Sequence, residues 1–164
     1  MPVLRRGLTF QRVNIYFKQI HSLETFSLQG DYDMRTPLHI ATAEGNLEMT
    51  KFLLERGALV HKKDRNNDMP LVCAITSGNV AVVKLLVEVG AHLTLPPSLV
   101  GERLVRAGRA GDKDQVLCWL AAGASLEQPD LGGNTCLEAA ATAGYTDLVA
   151  SVKMMTANVY GPHL

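Results

Sequence analysis

The amino-acid sequence repeats every 33 residues, and this period limits the fold more than any other feature. Four glycines mark it: Gly45, Gly78, Gly111 and Gly144. A leucine column and an alanine column keep the same step through all four copies: Leu38, Leu71, Leu104 and Leu137; Ala41, Ala74, Ala107 and Ala140. A unit of this length cannot bury an apolar face by itself, so the copies are expected to stack on one another.

The first copy, residues 31–63, can be interpreted as a turn followed by two helices. Thr36 can cap a helix through its hydroxyl, and Pro37 suits the first helical position because its missing N–H costs nothing there. Gly45 ends this helix, since glycine takes the left-handed conformation cheaply, and Asn46 can cap the next helix. The inward stripe of the second helix recurs at three- and four-residue spacing, at Met49, Thr50, Leu53 and Leu54.

The stretch TPLHIATAEGN, residues 36–46, places His39 between a threonine and a glutamate and raises the question of a general base. Nucleophilic catalysis needs an activated nucleophile on a strained turn, for instance G-x-S-x-G, and the sequence has no such motif. The other copies carry Val72, Val105 and Glu138 at the position of His39, so we expect it to hydrogen-bond among neighbouring loops. The residues with an expected structural role are Thr36, Pro37, His39, Gly45, Gly78, Gly111 and Gly144.

The stretch DYDMRTPLHIATAEGNLEMTKFLLERGALVH, residues 31–61, resembles an ankyrin repeat. It matches the T-P-L-H-x-A motif, the helix-breaking glycine and the L-L-x-x-G-A segment of that family. The later copies match less well, because the T-P-L-H position reads MPLV at 69–72, ERLV at 102–105 and TCLE at 135–138. The resemblance implies an all-α fold, an ankyrin-repeat solenoid of four helix-turn-helix repeats with β-turn tips.

The period sets the expected boundaries: repeat 1 at residues 31–63, repeat 2 at 64–96, a divergent repeat 3 at 97–129 and repeat 4, a C-terminal cap, at 130–156. Residues 1–30 are expected to form an N-terminal helical cap or extension, and residues 157–164 a flexible tail. Because Pro96 and Pro97 open repeat 3, its turn is expected to be distorted over residues 94–102.

Residues 31 to about 155 are also similar to the ankyrin tail of the animal asparaginase/lysophospholipase enzymes. The most specific stretch is WLAAGA at residues 119–124, followed by Gln128 and Pro129. In that family a cytosolic asparaginase domain precedes the repeats, so the resemblance implies contact with such a catalytic domain. The asparaginase threonine motifs, a G-G-T turn and a T-D-T-like segment, are not found in this sequence. Two hypotheses therefore remain: a stand-alone adaptor or inhibitor, and a detached regulatory or oligomerising tail of an amidohydrolase.

In an ankyrin solenoid the turn tips and the exposed positions of the first helices form a concave surface, which is the family's usual binding site. The pattern places these residues there: Tyr32, Asp33, Arg35, Glu44, Arg65, Asn66, Asp68, Ser77, Leu99, Arg109, Leu131 and Asn134. Aromatic and arginine side chains dominate interface energetics, so the strongest predicted contacts are Tyr32, Arg35, Arg65 and Arg109. The alternative is a face that is only solvated.

Met34 occupies the turn position that Asn67 and Gly133 fill in other copies. A left-handed backbone is common at such a position, and a long side chain there costs stability. Either the sequence is loosened here, or an exposed methionine contributes an adaptable contact to a partner.

Composition limits the remaining functions. Sixteen basic residues balance sixteen acidic ones, so no net field draws the chain toward nucleic acid or an anionic membrane. No apolar run approaches the roughly 20 residues that a membrane-spanning helix needs. The three cysteines are widely spaced, which does not favour disulfides. The five histidines occupy different repeat phases, which does not favour a metal site. The sequence contains no cofactor motif. We expect a cytoplasmic or nuclear protein; the basic amphipathic residues 1–23 leave mitochondrial import as an alternative.

Overall fold

The computed structural model describes residues 31–159, with side chains as far as residue 156. This part of the chain contains eight α-helices and no strand, and the predicted all-α repeat fold is confirmed. The chain divides between His92 and Leu93 into two compact units. The predicted N-terminal cap at residues 1–30 lies outside the described residues, as do residues 160–164.

The first unit contains helices α1 (Pro37–Ala43), α2 (Leu47–Glu55), α3 (Pro70–Thr76) and α4 (Val80–Glu88). The second contains α5 (Pro97–Ala110), α6 (Lys113–Ala121), α7 (Cys136–Thr142) and α8 (Thr146–Val159). None of the helices within residues 31–159 is both long enough and apolar enough to cross a membrane.

In the first unit two helix pairs stack through their apolar faces. α1 packs on α2 and α3 packs on α4, while α1 also contacts α3 and α2 contacts α4. The side chains between them are almost completely buried: Leu38, Ala41, Leu53, Leu71, Ala74, Ile75, Val82, Val83 and Leu86. Burying one such leucine, isoleucine or valine stabilises by roughly 1.5–3 kcal/mol, and neither pair could bury this surface alone.

Gly45 allows the two repeats of the first unit to approach closely. Its φ is +67°, and a Cβ on it would lie 2.5 Å from Nδ2 of Asn79. That Nδ2 donates to the Gly45 carbonyl at 2.9 Å, while Oδ1 of Asn79 caps α4 by accepting from the Val82 N–H. Any side chain at position 45 would therefore be strained and would displace the cap of the next repeat. The period glycines Gly78, Gly111 and Gly144 have φ of +70°, +71° and +88°.

His39 links the two repeats from inside the first unit. Its ring is buried, and its Nδ1 accepts from the Thr36 backbone N–H at 3.1 Å and from the Thr36 hydroxyl at 2.8 Å. Its Nε2–H donates to the backbone carbonyl of Asp68, in the turn of repeat 2, at 3.2 Å. Because Nδ1 accepts and Nε2 donates, the ring is the neutral Nε2-protonated tautomer. Burial lowers the pKa of His39 below its ordinary value, which keeps the ring uncharged.

The second unit departs from the predicted pattern in its first helix. α5 has 14 residues, whereas α1 and α3 have seven each. It begins at Pro97, the position at which the other three repeats have an aspartate that opens the turn. Val100 then stands where those repeats have a residue with positive φ, and a β-branched side chain disfavours that conformation. Repeat 3 therefore has extra helix in place of a turn tip, and the predicted tip residue Leu99 lies in the first turn of α5.

Two glycines let α5 pack tightly inside the second unit. A Cβ on Gly108 would lie 2.6 Å from the carbonyl oxygen of Cys136, at the start of α7, and one on Gly101 would overlap the carbonyl of Pro129. Both backbone approaches require a residue without a side chain. These glycines therefore serve the contact of α5 with the following repeat.

The C-terminal helix continues beyond the predicted end of repeat 4. α8 has 14 residues, while α2, α4 and α6 have nine each. Thr156 occupies the column in which Gly57, Gly90 and Gly123 end the second helices, so the stop signal is missing. The prediction that a flexible tail begins at residue 157 is wrong, because residues 157–159 are helical.

The buried His39 predicts that acid destabilises the first unit. Its folded pKa is lowered, so below about pH 6.5 the unfolded chain binds a proton that the folded chain does not, and stability falls as pH decreases. Urea unfolding followed at pH 7.5 and pH 5.5 measures this slope. His39→Val introduces the residue that repeats 2 and 3 carry at this position, Val72 and Val105. It should cost about 1–3 kcal/mol at pH 7.5, because it leaves buried polar groups unpaired, and should flatten the slope.

The exposed His92 provides the control for this experiment. His92→Gln should leave the stability at pH 7.5 close to that of the unmodified chain, because the side chain is exposed. An acid slope of the same size in His39→Val would contradict the assignment to His39.

Candidate functional site at the turn tips

The turn tip of repeat 1 is organised by the carboxylate of Asp31. Its Oδ1 accepts from the backbone N–H of Asp33 and of Arg35, both at 2.9 Å. The Asp31 carbonyl accepts from the Met34 N–H at 2.8 Å, and the Asp31 N–H donates to the Arg35 carbonyl at 3.1 Å. An aspartate that satisfies backbone donors two and four residues ahead holds the loop in one conformation.

The same arrangement recurs at Asp64 in repeat 2 and at Asp130 in repeat 4. Oδ1 of Asp64 accepts from the N–H of Asn66 and Asp68 at 2.9 Å each, and Oδ1 of Asp130 from those of Gly132 and Asn134 at 2.8 and 2.9 Å. The sequence interpretation missed these aspartates, although they are spaced by one and by three periods. Proline occupies the same column at position 97, where a distorted turn was predicted, and repeat 3 has no such aspartate.

The third residue after each aspartate has a left-handed backbone. The φ values are +58° for Met34, +64° for Asn67 and +80° for Gly133. Glycine takes this conformation freely and asparagine tolerates it, whereas a methionine there is strained by roughly 1 kcal/mol. The side chain of Met34 is nevertheless 51% exposed, so no packing in the core offsets the strain.

The tips of repeats 1 and 2 are joined in the first unit. The Arg65 guanidinium lies 3.5 Å from Oδ1 of Asp33, and the Arg65 N–H donates to the Asp33 carbonyl at 2.8 Å. Both side chains are exposed, so their ion pair contributes little stability, about 0–1 kcal/mol. Tyr32 is 95% exposed at the same tip, and Asn66 is exposed at the next. The structure thus brings together four of the predicted contact residues.

Other predicted contact residues are engaged in the scaffold of the first unit. The Ser77 hydroxyl lies within hydrogen-bond distance of the Thr42 and Ala74 carbonyls, at 3.2 and 2.8 Å, and so connects α3 with α1. Asp68 is half-buried, and its carbonyl accepts from His39. Arg35 is also half-buried, while Glu44 is exposed at the end of α1.

The second unit has one turn tip among the described residues, in repeat 4. Leu131 is 86% exposed on it. Arg109, on α5, lies 3.9 Å from Oδ2 of Asp130, and the Asn134 amide donates to Oδ1 of Asp130 at 3.2 Å. The backbone N–H of Asn134, with further help from its side chain, Gly132 and Arg109, holds the pKa of Asp130 below its usual value. Asp130 therefore stays ionised and keeps this tip closed.

Reactive groups are scarce in the part of the chain that the structure describes. Burial raises the pKa of the Cys118 thiol to about 12 and that of Cys136 to about 11, so neither is a thiolate at neutral pH. Residues 31–159 hold no group of three or more His, Cys, Asp or Glu side chains that could bind a metal ion. Two of the histidines that occupy different repeat phases nevertheless lie close together, because the ring centroids of His61 and His92 are 4.9 Å apart.

Two relatives are similar to this sequence over most of its length, and a third over a shorter part. An L-asparaginase of Dirofilaria immitis is 33% identical over 119 residues, covering 73% of this chain and 20% of the relative. A 60 kDa lysophospholipase of Mus musculus is 45% identical over 122 residues, covering 73% of this chain and 22% of the relative. A mitochondrial liver-isoform glutaminase of Mus musculus is 41% identical over 63 residues, or 34% of this chain and 10% of the relative. The chain thus spans about a fifth of the length of the L-asparaginase and of the lysophospholipase. The resemblance to the asparaginase/lysophospholipase enzymes is confirmed.

A family model for ankyrin repeats, in three copies, matches residues 13–96. From residue 31 onward the match agrees with the two helix pairs of the first unit, with their left-handed glycines and with the turns that Asp31 and Asp64 hold. Ankyrin repeats generally mediate protein–protein interaction, and their fold is typically non-catalytic. The chain belongs to the ankyrin repeat family.

Proposed function

We propose that this chain is a non-catalytic protein-binding module whose partner contacts the turn tips. In the first unit the contacts are Tyr32, Met34, Asn66 and the ion pair of Asp33 with Arg65. In the second unit they are Arg109, Leu131 and Asn134. In this proposal Arg35 and Asp68 support the tips, and Ser77 holds α3 against α1. Glu44 and Leu99 contribute at the edges, and the partner is a cytosolic protein, not a nucleic acid or a membrane.

The observation that carries the proposal is the tip of repeat 1. It exposes a tyrosine almost completely and, two residues later, a methionine whose backbone is strained. Strained residues of this kind cluster at functional sites, and asparagine or glycine removes the strain in repeats 2 and 4. Tyrosine supplies a large rigid contact area, and methionine adapts to an irregular partner surface.

Affinity capture tests which surface binds. Full-length chain, a Tyr32→Ala/Arg65→Ala variant and a Lys51→Ala/Lys84→Ala variant are compared on the same cell extract; Lys51 and Lys84 are exposed on α2 and α4, away from the tips. The proposal expects at least one protein that the unmodified chain and the lysine variant retain and the tip variant loses. Equal retention by the tip and lysine variants would contradict it.

Met34→Asn separates stability from binding. Asparagine already occupies the equivalent position 67 at φ +64°, so the substitution should raise the free energy of unfolding by about 0.5–1 kcal/mol. If Met34 contacts the partner, the same variant should bind the captured protein at least severalfold more weakly. Urea unfolding and titration calorimetry measure the two effects. A more stable variant with unchanged affinity would show that Met34 is only a loosened position.

A second candidate function is favoured by the relatives. Two proteins named L-asparaginase and 60 kDa lysophospholipase match nearly the same share of this chain, and the matched part is about a fifth of each. The chain would then regulate or oligomerise an amidohydrolase whose catalytic domain binds it. The genomic sequence upstream of Met1 separates the two candidates, because an in-frame asparaginase domain favours this one.

Catalysis and association distinguish the candidates in solution. Purified chain should hydrolyse neither asparagine nor lysophospholipid on its own. Under the second candidate it should bind the mouse lysophospholipase from which the matched region has been deleted, and Tyr32→Ala/Arg65→Ala should weaken that binding. Hydrolysis of either substrate by the chain alone would refute both candidates. If the chain does not bind the shortened lysophospholipase, the second candidate is refuted and the first, binding of another protein partner, remains.

A further inference from the structure

A pair of histidines lies on the first unit, on loops that follow the second helices of repeats 1 and 2. His61 belongs to the loop after α2, and His92 to the loop after α4. Their ring centroids are 4.9 Å apart and their planes are inclined by 55°. Both residues are exposed, so solvent and ions reach them. The 33-residue period did not predict this pair, because His61 and His92 are 31 residues apart in the sequence.

The spacing of the rings suits two ligands of one ion. An imidazole nitrogen binds zinc at about 2.0–2.1 Å. If two imidazoles bind one ion at an angle of roughly 90–110°, their ring centroids are about 4.5–5.2 Å apart. The observed 4.9 Å lies inside this range. A contact of two rings without an ion has a similar spacing, so the distance needs a second observation.

That second observation is the hydrogen bond of His92. Its Nδ1 lies 3.2 Å from the backbone carbonyl oxygen of Gly90. Because a carbonyl can only accept, Nδ1 carries the proton, and the lone pair of the neutral ring is on Nε2. Metal-ligating histidines usually donate their other ring N–H to a carbonyl or carboxylate, which fixes the ring and raises its basicity. His92 is thus held in the tautomer whose Nε2 lone pair can bind a metal ion.

We propose that His61 and His92 form a two-imidazole site for a divalent transition-metal ion on the first unit. Imidazole suits Zn²⁺, Ni²⁺ and Cu²⁺, whereas Mg²⁺ and Ca²⁺ need oxygen ligands. Water fills the remaining coordination positions, since both rings face solvent. The ion ties the loop of repeat 1 to that of repeat 2 and restrains the ends of α2 and α4. The site should bind Cu²⁺ more tightly than either Ni²⁺ or Zn²⁺.

Calorimetric titration of the full chain with ZnCl₂ tests the site. His21 and His163 are replaced by glutamine in every sample, so that the remaining histidines are His39, His61 and His92. The expected result is one saturable Zn²⁺ site and a thermal unfolding midpoint that rises with Zn²⁺ concentration. His61→Gln and His92→Gln should each weaken binding by at least about tenfold, the scale seen when even an outer partner of a ligand is lost.

Imidazole signals in NMR spectra locate the ion independently. The ring resonances of His61 and His92 should shift together with Zn²⁺, while those of His39, buried and hydrogen-bonded at both nitrogens, should not. No saturable binding below about 1 mM free ion would overturn the proposal and leave the pair as a contact between two rings. Unchanged affinity in both glutamine variants would also overturn it.

Discussion

The conformation of each turn tip in repeats 1, 2 and 4 depends on one aspartate carboxylate. Asp31, Asp64 and Asp130 each accept two backbone N–H groups and thereby close a loop that has no core of its own. A loop closed in this way presents its neighbours at fixed positions, so a partner does not have to order it on binding. Where proline replaces the aspartate, in repeat 3, the turn is lost and the chain continues as helix.

The tips are connected to the helical scaffold at a small number of points. In the first unit His39 reaches from α1 to the Asp68 carbonyl, and Arg65 pairs with Asp33 through both backbone and side chain. The buried histidine has both ring nitrogens in hydrogen bonds to the scaffold, so neither is available to take a proton from a substrate, and this separates it from the general base that its sequence context suggested. Function is therefore proposed for the exposed residues beside this link, at a tip whose strained methionine has no structural explanation in the fold.

Much of the fold could be predicted because it follows from a strict period. Helix starts at Pro37 and Pro70 and the left-handed glycines are local features, readable from residue type and position. The altered turn of repeat 3 was predicted from Pro96 and Pro97, and α5 begins there. The end of α8 was misjudged because the period was extended to a copy in which Thr156 replaces the glycine that stops the other second helices. The engagement of Ser77 and the proximity of His61 to His92 depend on how repeats pack, and a single sequence does not contain that distance.

Amide hydrogen exchange measures directly whether the tips are preorganised. The amides that the aspartates hold are those of Asp33, Arg35, Asn66, Asp68, Gly132 and Asn134. We predict that they exchange far more slowly than an unstructured chain, although most of these residues are exposed, and that Asp31→Ala abolishes protection at Asp33 and Arg35 alone. Exchange at the rate of an unstructured chain in the unmodified protein would contradict the central claim that a carboxylate holds each of these turns in a fixed conformation.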